Sequence, residues 1–190
     1  MTAKNLVAVA ALAFSLPAGA QTYVSTDVPK TISSAAPSTI NSILSVPDAF
    51  VIDSLTVQLR VLHDINADLD MFLIGPTGIS VELSSDNGAS GDDYLDTVFD
   101  DAAATSITSG IAPFNQEPAY RPEQPLASFQ GTSAMGQWTL RIADDTFFEG
   151  GELQAWSLTF VAAVIPEPQT YALLLAGLGM LGFIARRRGA

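Results

Sequence analysis

The chain has 190 residues, with 20 acidic side chains against eight basic ones, a formal charge of −12, and no cysteine. That length suits one domain; the missing cysteine excludes a disulfide framework or a thiolate metal site; and the acidity argues against nucleic acid or anionic lipid, which Lys and Arg hold by neutralising phosphates. Between Gln21 and Val164 the imbalance is steeper, 19 acidic residues against Lys30, Arg60, Arg121 and Arg141, a net of −15. Cation binding is its natural counterpart, and a merely solubilising surface is the plainer reading.

Residues 1–20 read as a secretory signal peptide. Lys4 gives a positive start, Leu6 to Leu16 an apolar run, Pro17 a break, and Ala18-Gly19-Ala20 the small-residue cleavage pattern. Signal peptidase is expected to cut between Ala20 and Gln21. The run is too short for a span of ~20 residues. The Thr/Ser-rich stretch that follows, Thr22 to Ser45, is expected to form a first pair of strands, with a partly ordered linker as the alternative.

The segment 21–163 shows little helical periodicity. Leu55 to Val61 alternates apolar and polar residues, the pattern of a half-buried strand. Further strands are predicted at Thr39–Val46, Leu69–Ile74, Ser80–Leu83, Gln137–Ile142 and Leu153–Val161. Turn residues separate them at Val46-Pro47-Asp48, Gly75-Pro76-Thr77-Gly78, Asp86-Asn87-Gly88 and Glu149-Gly150-Gly151. Short strands with such punctuation predict an all-β sandwich or jelly roll. Ser84 to Arg121 is polar and Asp-rich, with apolar islands at Val98-Phe99 and Ile107, and reads as one long functional connection. Trp138 and Trp156 are expected in the core, each donating its indole N–H; stacking on carbohydrate requires one of them to face outward.

Two acidic runs stand out. In His63-Asp64-Ile65-Asn66-Ala67-Asp68-Leu69-Asp70, Asp68 and Asp70 are two apart and share a face if extended. Two such carboxylates repel unless a cation lies between them, and hard oxygen ligands suit Ca²⁺. The spacing is not that of an EF-hand, and a solvated acidic turn is the competing reading. The second run holds Asp86, Asp92, Asp93, Asp96, Asp100 and Asp101. One or two Ca²⁺ ions shared between the runs, on Asp68, Asp70, Asp92, Asp93, Asp100 and Asp101, are the expected cofactor.

At the C-terminus, residues 164–190, Pro166-Glu167-Pro168 precedes an apolar stretch from Tyr171 to Ala185 and then Arg186-Arg187-Arg188. Fifteen residues of helix reach roughly 22 Å, a marginal transmembrane span. The arginines are expected on the cytoplasmic side, which leaves the acidic domain outside.

That tail resembles the PEP-CTERM sorting signal of Gram-negative bacteria. The resemblance implies export across the inner membrane, a transient membrane anchor, and an exosortase that cleaves near Pro166, Glu167 and Pro168 to release the protein at the cell surface. It also suggests an extracellular polysaccharide setting. The middle resembles the P (Homo B) domain of proprotein convertases: His63 with Ala67-Asp68-Leu69-Asp70, then Gly75-Pro76-Thr77-Gly78, Asp96-Thr97-Val98-Phe99-Asp100-Asp101, Tyr120-Arg121-Pro122-Glu123, Gly136-Gln137-Trp138, Asp144 and Gly151-Glu152-Leu153 follow in its order. Ala67 replaces that family's usual glycine. The resemblance implies a jelly-roll sandwich of about eight mostly antiparallel strands, often calcium-bound, that accompanies a subtilisin-like protease.

Gly131-Thr132-Ser133-Ala134-Met135 is similar to a subtilisin serine signature, but His63 is the one histidine and ends a strand. The expected function is therefore a non-catalytic, exported module that binds or scaffolds at a cell-surface or exopolysaccharide partner. A polysaccharide-binding lectin is the alternative, and a serine protease in its own right is the third reading.

Overall fold

In the computed structural model, residues 19–164 and the helix at 168–188 are described. The sandwich, Ala18–Ala163, forms one compact unit, and the C-terminal helix belongs to another. The expected N-terminal signal helix lies outside the described residues.

Among the described residues eleven strands follow in order: β1 (Gln21–Val24), β2 (Lys30–Ile32), β3 (Ser38–Val46), β4 (Ile52–His63), β5 (Leu69–Ile74), β6 (Ser80–Ser85), β7 (Tyr94–Phe99), β8 (Thr105–Ser106), β9 (Tyr120–Arg121), β10 (Gly136–Asp144) and β11 (Gly151–Ala162). One sheet has the order β1-β11-β4-β7-β9-β8, with β2 also paired to β11; the other has the order β3-β10-β5-β6. Pairing is antiparallel except at β7–β9 and β8–β9. The all-β, two-sheet class expected from the alternation is therefore present, with short extra strands beyond the expected eight. The Thr/Ser-rich start forms strands, as expected.

The alternation places the core. On β4, Leu55, Val57, Leu59 and Val61 point inward; on β5 Leu69, Met71 and Leu73 do so, and on β10 Trp138, Leu140 and Ile142. Each fully buried aliphatic or Phe side chain contributes about 1.5–3 kcal/mol. Trp138 packs on Phe129 and on Phe160 of the facing sheet, with ring centroids 4.9 and 5.3 Å apart. Its indole N–H donates to the Ala134 carbonyl at 2.9 Å, while that of Trp156 crosses between the sheets to Ser42 Oγ at 2.8 Å. Both indoles are buried as expected, so neither offers an outward face to a sugar.

The Asp-rich stretch departs from the expectation of one long connection, since it contains β7. There Tyr94, Thr97 and Phe99 are the inward residues, a spacing of three and then two. The pairing explains it: Leu59 faces Thr97 and Val61 faces Tyr94, so Leu95 and Asp96 bulge opposite Arg60. On the other side of Arg60, β11 bulges between Leu153 and Ala155. Arg60 holds both irregularities, donating from Nη1 to Asp96 at 2.8 Å and from Nε to Gln154 at 3.2 Å.

The C-terminal segment forms one helix, α1 (Pro168–Arg188). Among the described residues no helix is long and apolar enough to cross a membrane. The marginal transmembrane span expected from the sequence is not met.

Candidate functional site

The strand register gathers carboxylates at one edge of the four-stranded sheet. Asp68 closes a single 3-10 turn, Asn66–Asp68, and Asp70 lies on β5 between Ala143 of β10 and Ser85 of β6. Thr146 donates its hydroxyl to Asp68 Oδ2 at 2.7 Å, and Ser85 donates to Asp70 Oδ1 at 2.6 Å. Asp145 is tied in through its N–H to the Asp68 carbonyl at 3.3 Å. Glu123 Oε1 accepts from the Ser85 N–H at 2.7 Å and from Asn87 Nδ2 at 2.6 Å. Lost hydration, and then the charges of Asp70, Asp145, Glu123 and Asp68, push the Asp86 carboxyl above the ordinary carboxylate range. Glu82 is raised in the same way, by lost hydration and then by Glu123, Asp70 and Asp86. Glu82 and Asp145 were not singled out from the sequence, and Glu123 entered only as part of the P-domain resemblance. Only the register, which no local spacing reveals, puts them beside Asp68 and Asp70.

The other four expected ligands are placed elsewhere. Asp93 pairs with His63 backbone to backbone, and its Oδ1 accepts the His63 N–H at 3.0 Å. Asp100 Oδ1 accepts the Ala102 N–H at 2.8 Å. Asp101 uses both carboxylate oxygens to accept the Leu126 and Ala127 N–H groups, at 2.9 and 2.7 Å, at the start of a 3-10 turn. Asp92 is exposed. Asp86, Asp93 and Asp96 occupy left-handed backbone, at φ 55°, 64° and 56°, which Asp enters more readily than most residues. Turn geometry and N–H capping thus account for much of this acidic run. Among the described residues no group of three or more His, Asp or Glu side chains is arranged to hold a metal ion. The six residues expected to share calcium do not meet at one site.

His63 lies beneath the Asp68 turn. Its Nδ1 is 2.7 Å from the Ile65 carbonyl and its Nε2 is 3.3 Å from Asp144 Oδ2, with both side chains fully buried. Ser133 Oγ accepts the Met135 N–H, and its backbone bridges Val51. The hydrogen bonds of His63 and Ser133 thus lead to different partners, and His63 is a structural link between β4 and β10.

At the termini, Ala20 is exposed and Gln21 opens β1 opposite Phe160, while residues 1–18, most of the expected signal peptide, lie outside the described residues. Pro166 and Glu167 lie outside the described residues. Pro168 opens α1, and Arg186 and Arg187 are exposed in its last turn, where the helix dipole favours cations. Arg188 closes the helix.

Comparison with known proteins gives two family matches: the proprotein convertase P-domain over residues 52–160 and the PEP-CTERM protein-sorting motif over residues 164–188. No curated protein matches the chain. Similar solved structures include the serine protease of Aeromonas sobria, alone and with its chaperone, each 17% identical, with TM-scores of 0.44 and 0.46. Each match covers 80% of this chain and 28% of the protease chain. Another is infectious bursal disease virus Gx strain, 14% identical with a TM-score of 0.38, over 79% of this chain and 34% of that one. The P-domain is an accessory module, and the sorting motif indicates export with processing by an exosortase. By the extent of the first match, this chain belongs to the proprotein convertase P-domain family, with a PEP-CTERM sorting tail behind the module.

Proposed function

We propose that the chain is an exported, non-catalytic P-domain module, directed by exosortase sorting to the surface or extracellular matrix of a Gram-negative bacterium, where it binds or scaffolds. One observation carries this reading: the P-domain match ends at residue 160 and the sorting motif opens at residue 164, so module and address are contiguous. Signal peptidase and exosortase are its processing enzymes. The tail meets the membrane in transit, as the sorting motif implies.

Calcium is part of the proposal, at the edge around Asp68 and Asp70 rather than across all six expected aspartates. Support comes from the raised Asp86 and Glu82 carboxyls: lost hydration is the first cause, and the neighbouring charges of Asp70 and Glu123 add to it at both, a repulsion that a divalent cation offsets. Urea unfolding of the full chain with Ca²⁺ and with chelator tests it. Calcium at 100 times its Kd adds about 2.7 kcal/mol, whereas coincident curves remove calcium and leave the sorting reading intact. For sorting, an epitope at exposed Ala35-Ala36 should be reached on intact cells and lost from the surface when exosortase is deleted. Cytoplasmic retention in both strains contradicts the proposal.

A further inference from the structure

Between Gln21 and Val164 the chain has four basic side chains, and three of them are engaged. Lys30 pairs with Asp27 and Arg60 with Asp96, each at 2.8 Å, and Arg121 donates to the Ala103 carbonyl at 3.2 Å. Arg141 differs: among the described residues its guanidinium forms no ion pair and no hydrogen bond, and it lies over the Phe72 ring, 4.3 Å from the centroid. Its Nε is the one of its nitrogens buried without a partner, so the two terminal amino groups reach solvent. A guanidinium in that state has lost water without gaining an anion, and stacking on an aromatic face recovers only part of the loss.

Arg141 and Phe72 sit on the outer face of the four-stranded sheet. Leu140 and Ile142, Met71 and Leu73, and Val81 and Leu83 turn inward, so alternation turns Arg141, Phe72 and Glu82 outward. The register sets these three in a row across β10, β5 and β6: Arg141 is paired with Phe72, and Phe72 with Glu82. Two strand spacings, ~10 Å, separate Arg141 from Glu82. Among the described residues Glu82 forms no ion pair either. Its carboxyl is raised by lost hydration and then by Glu123, Asp70 and Asp86. One face thus holds an unpaired cation and an unpaired anion on opposite sides of an aromatic ring.

Such a row is self-complementary. A two-fold axis along β5, between two facing copies, sets Phe72 against Phe72 and Arg141 of each copy against Glu82 of the other. In the same arrangement Thr139 meets Ser80 and Ala143 meets Ser85, short side chains that let the ion pairs close. Facing sheets pack ~10 Å apart, a gap that an Arg and a Glu extended toward each other can bridge. Asp70 lies on the axis and opposes its own copy, at a separation where salt screens most of the repulsion. Elsewhere a net charge of −15 repels a second copy; along this row the signs are opposite. We infer that the outer face of the four-stranded sheet is a self-association surface, where Arg141 of one copy pairs with Glu82 of another across a Phe72–Phe72 contact. The shared width is three strands, less than a standard interface, so the dimer is weak and forms at high concentration.

The test is sedimentation velocity of the full chain from about 1 to 200 μM, with chelator to leave calcium out and mild detergent to hold the apolar helix. The parent should pass from monomer toward dimer across that range. Arg141→Glu and Glu82→Arg each set like charges together and should move the transition about fivefold or more upward. Combining the two exchanges restores opposite signs and should return it. The inference falls if the parent stays monomeric throughout, if either single exchange leaves the transition in place, or if the combined exchange does not restore it. If any of these variants melts below the parent, cross-linking decides instead. Ile74, on the same axis as Phe72, is half-buried, and the chain has no cysteine. Ile74→Cys should be joined between copies by a short bismaleimide far more readily than Gln58→Cys, an exposed position on the other sheet; equal yields overturn the inference. Surface delivery is a separate matter that neither result touches.

Discussion

Several of the most constrained side chains serve the backbone rather than a ligand. His63 and Asp144 are fully buried and 3.3 Å apart, and Asp144 Oδ1 also accepts the Thr146 N–H at 3.0 Å, which steers the chain toward the acidic edge. His63→Ala takes one hydrogen-bond partner from the buried Asp144 carboxyl and should cost about 1–3 kcal/mol in urea unfolding, the scale of leaving a buried polar group short of a partner. A loss below about 1 kcal/mol means the link is dispensable. At the acidic edge the sign is reversed. The Asp86 and Glu82 carboxyls are raised above their ordinary range, so folding disfavours their ionised forms. Their destabilising contribution is present at neutral pH and fades as pH falls through the raised range. Asp86→Asn should raise the melting temperature at pH 7 by about 1–2 °C, the scale of surface substitutions in a domain this size. It should also flatten the wild-type gain on mild acidification and shrink the calcium increment. An unchanged pH profile refutes the repulsion.

Among the elements, the longer strands were legible: β3, β4, β5, β6, β10 and β11 match the predicted strands to within a few residues at either end. β7 was not, because its bulge at Leu95-Asp96 spaces the inward Tyr94 and Thr97 three apart and hides the alternation among aspartates. β8 and β9 are two residues each and pair in parallel with partners remote in sequence, which no local pattern announces. The acidic site was half legible: Asp68 and Asp70 were readable from spacing, whereas Glu123 and Asp145 join them through tertiary register alone. Gly151 shows how a motif glycine is dictated by packing. A Cβ there would run into the Leu62 carbonyl and lie 3.0 Å from His63 Cδ2, at the start of β11 where it pairs with β4. Gly151→Ala should therefore cost about 1–3 kcal/mol, the range for overpacking, whereas Gly78→Ala meets no atom within 4 Å and tests only backbone strain at φ +85°. Equal losses in urea unfolding contradict the steric account.

At the scale of the whole molecule, the order of module and sorting tail was readable because each has a different physical signature: alternating strands, then an apolar helix ended by arginines. A cavity beside Tyr120 was not readable, since it is assembled from β8, β9 and the loop between them. The account's central claim is that the sandwich is cargo, freed of both addresses when it reaches the outside. The most direct measurement is the intact mass of the protein recovered from the surface or medium of an exosortase-positive host. The account predicts a species that begins at Gln21 and ends close to Pro166, Glu167 or Pro168; a full-length chain, with Met1 to Ala20 and Arg186 to Arg188 still attached, contradicts it.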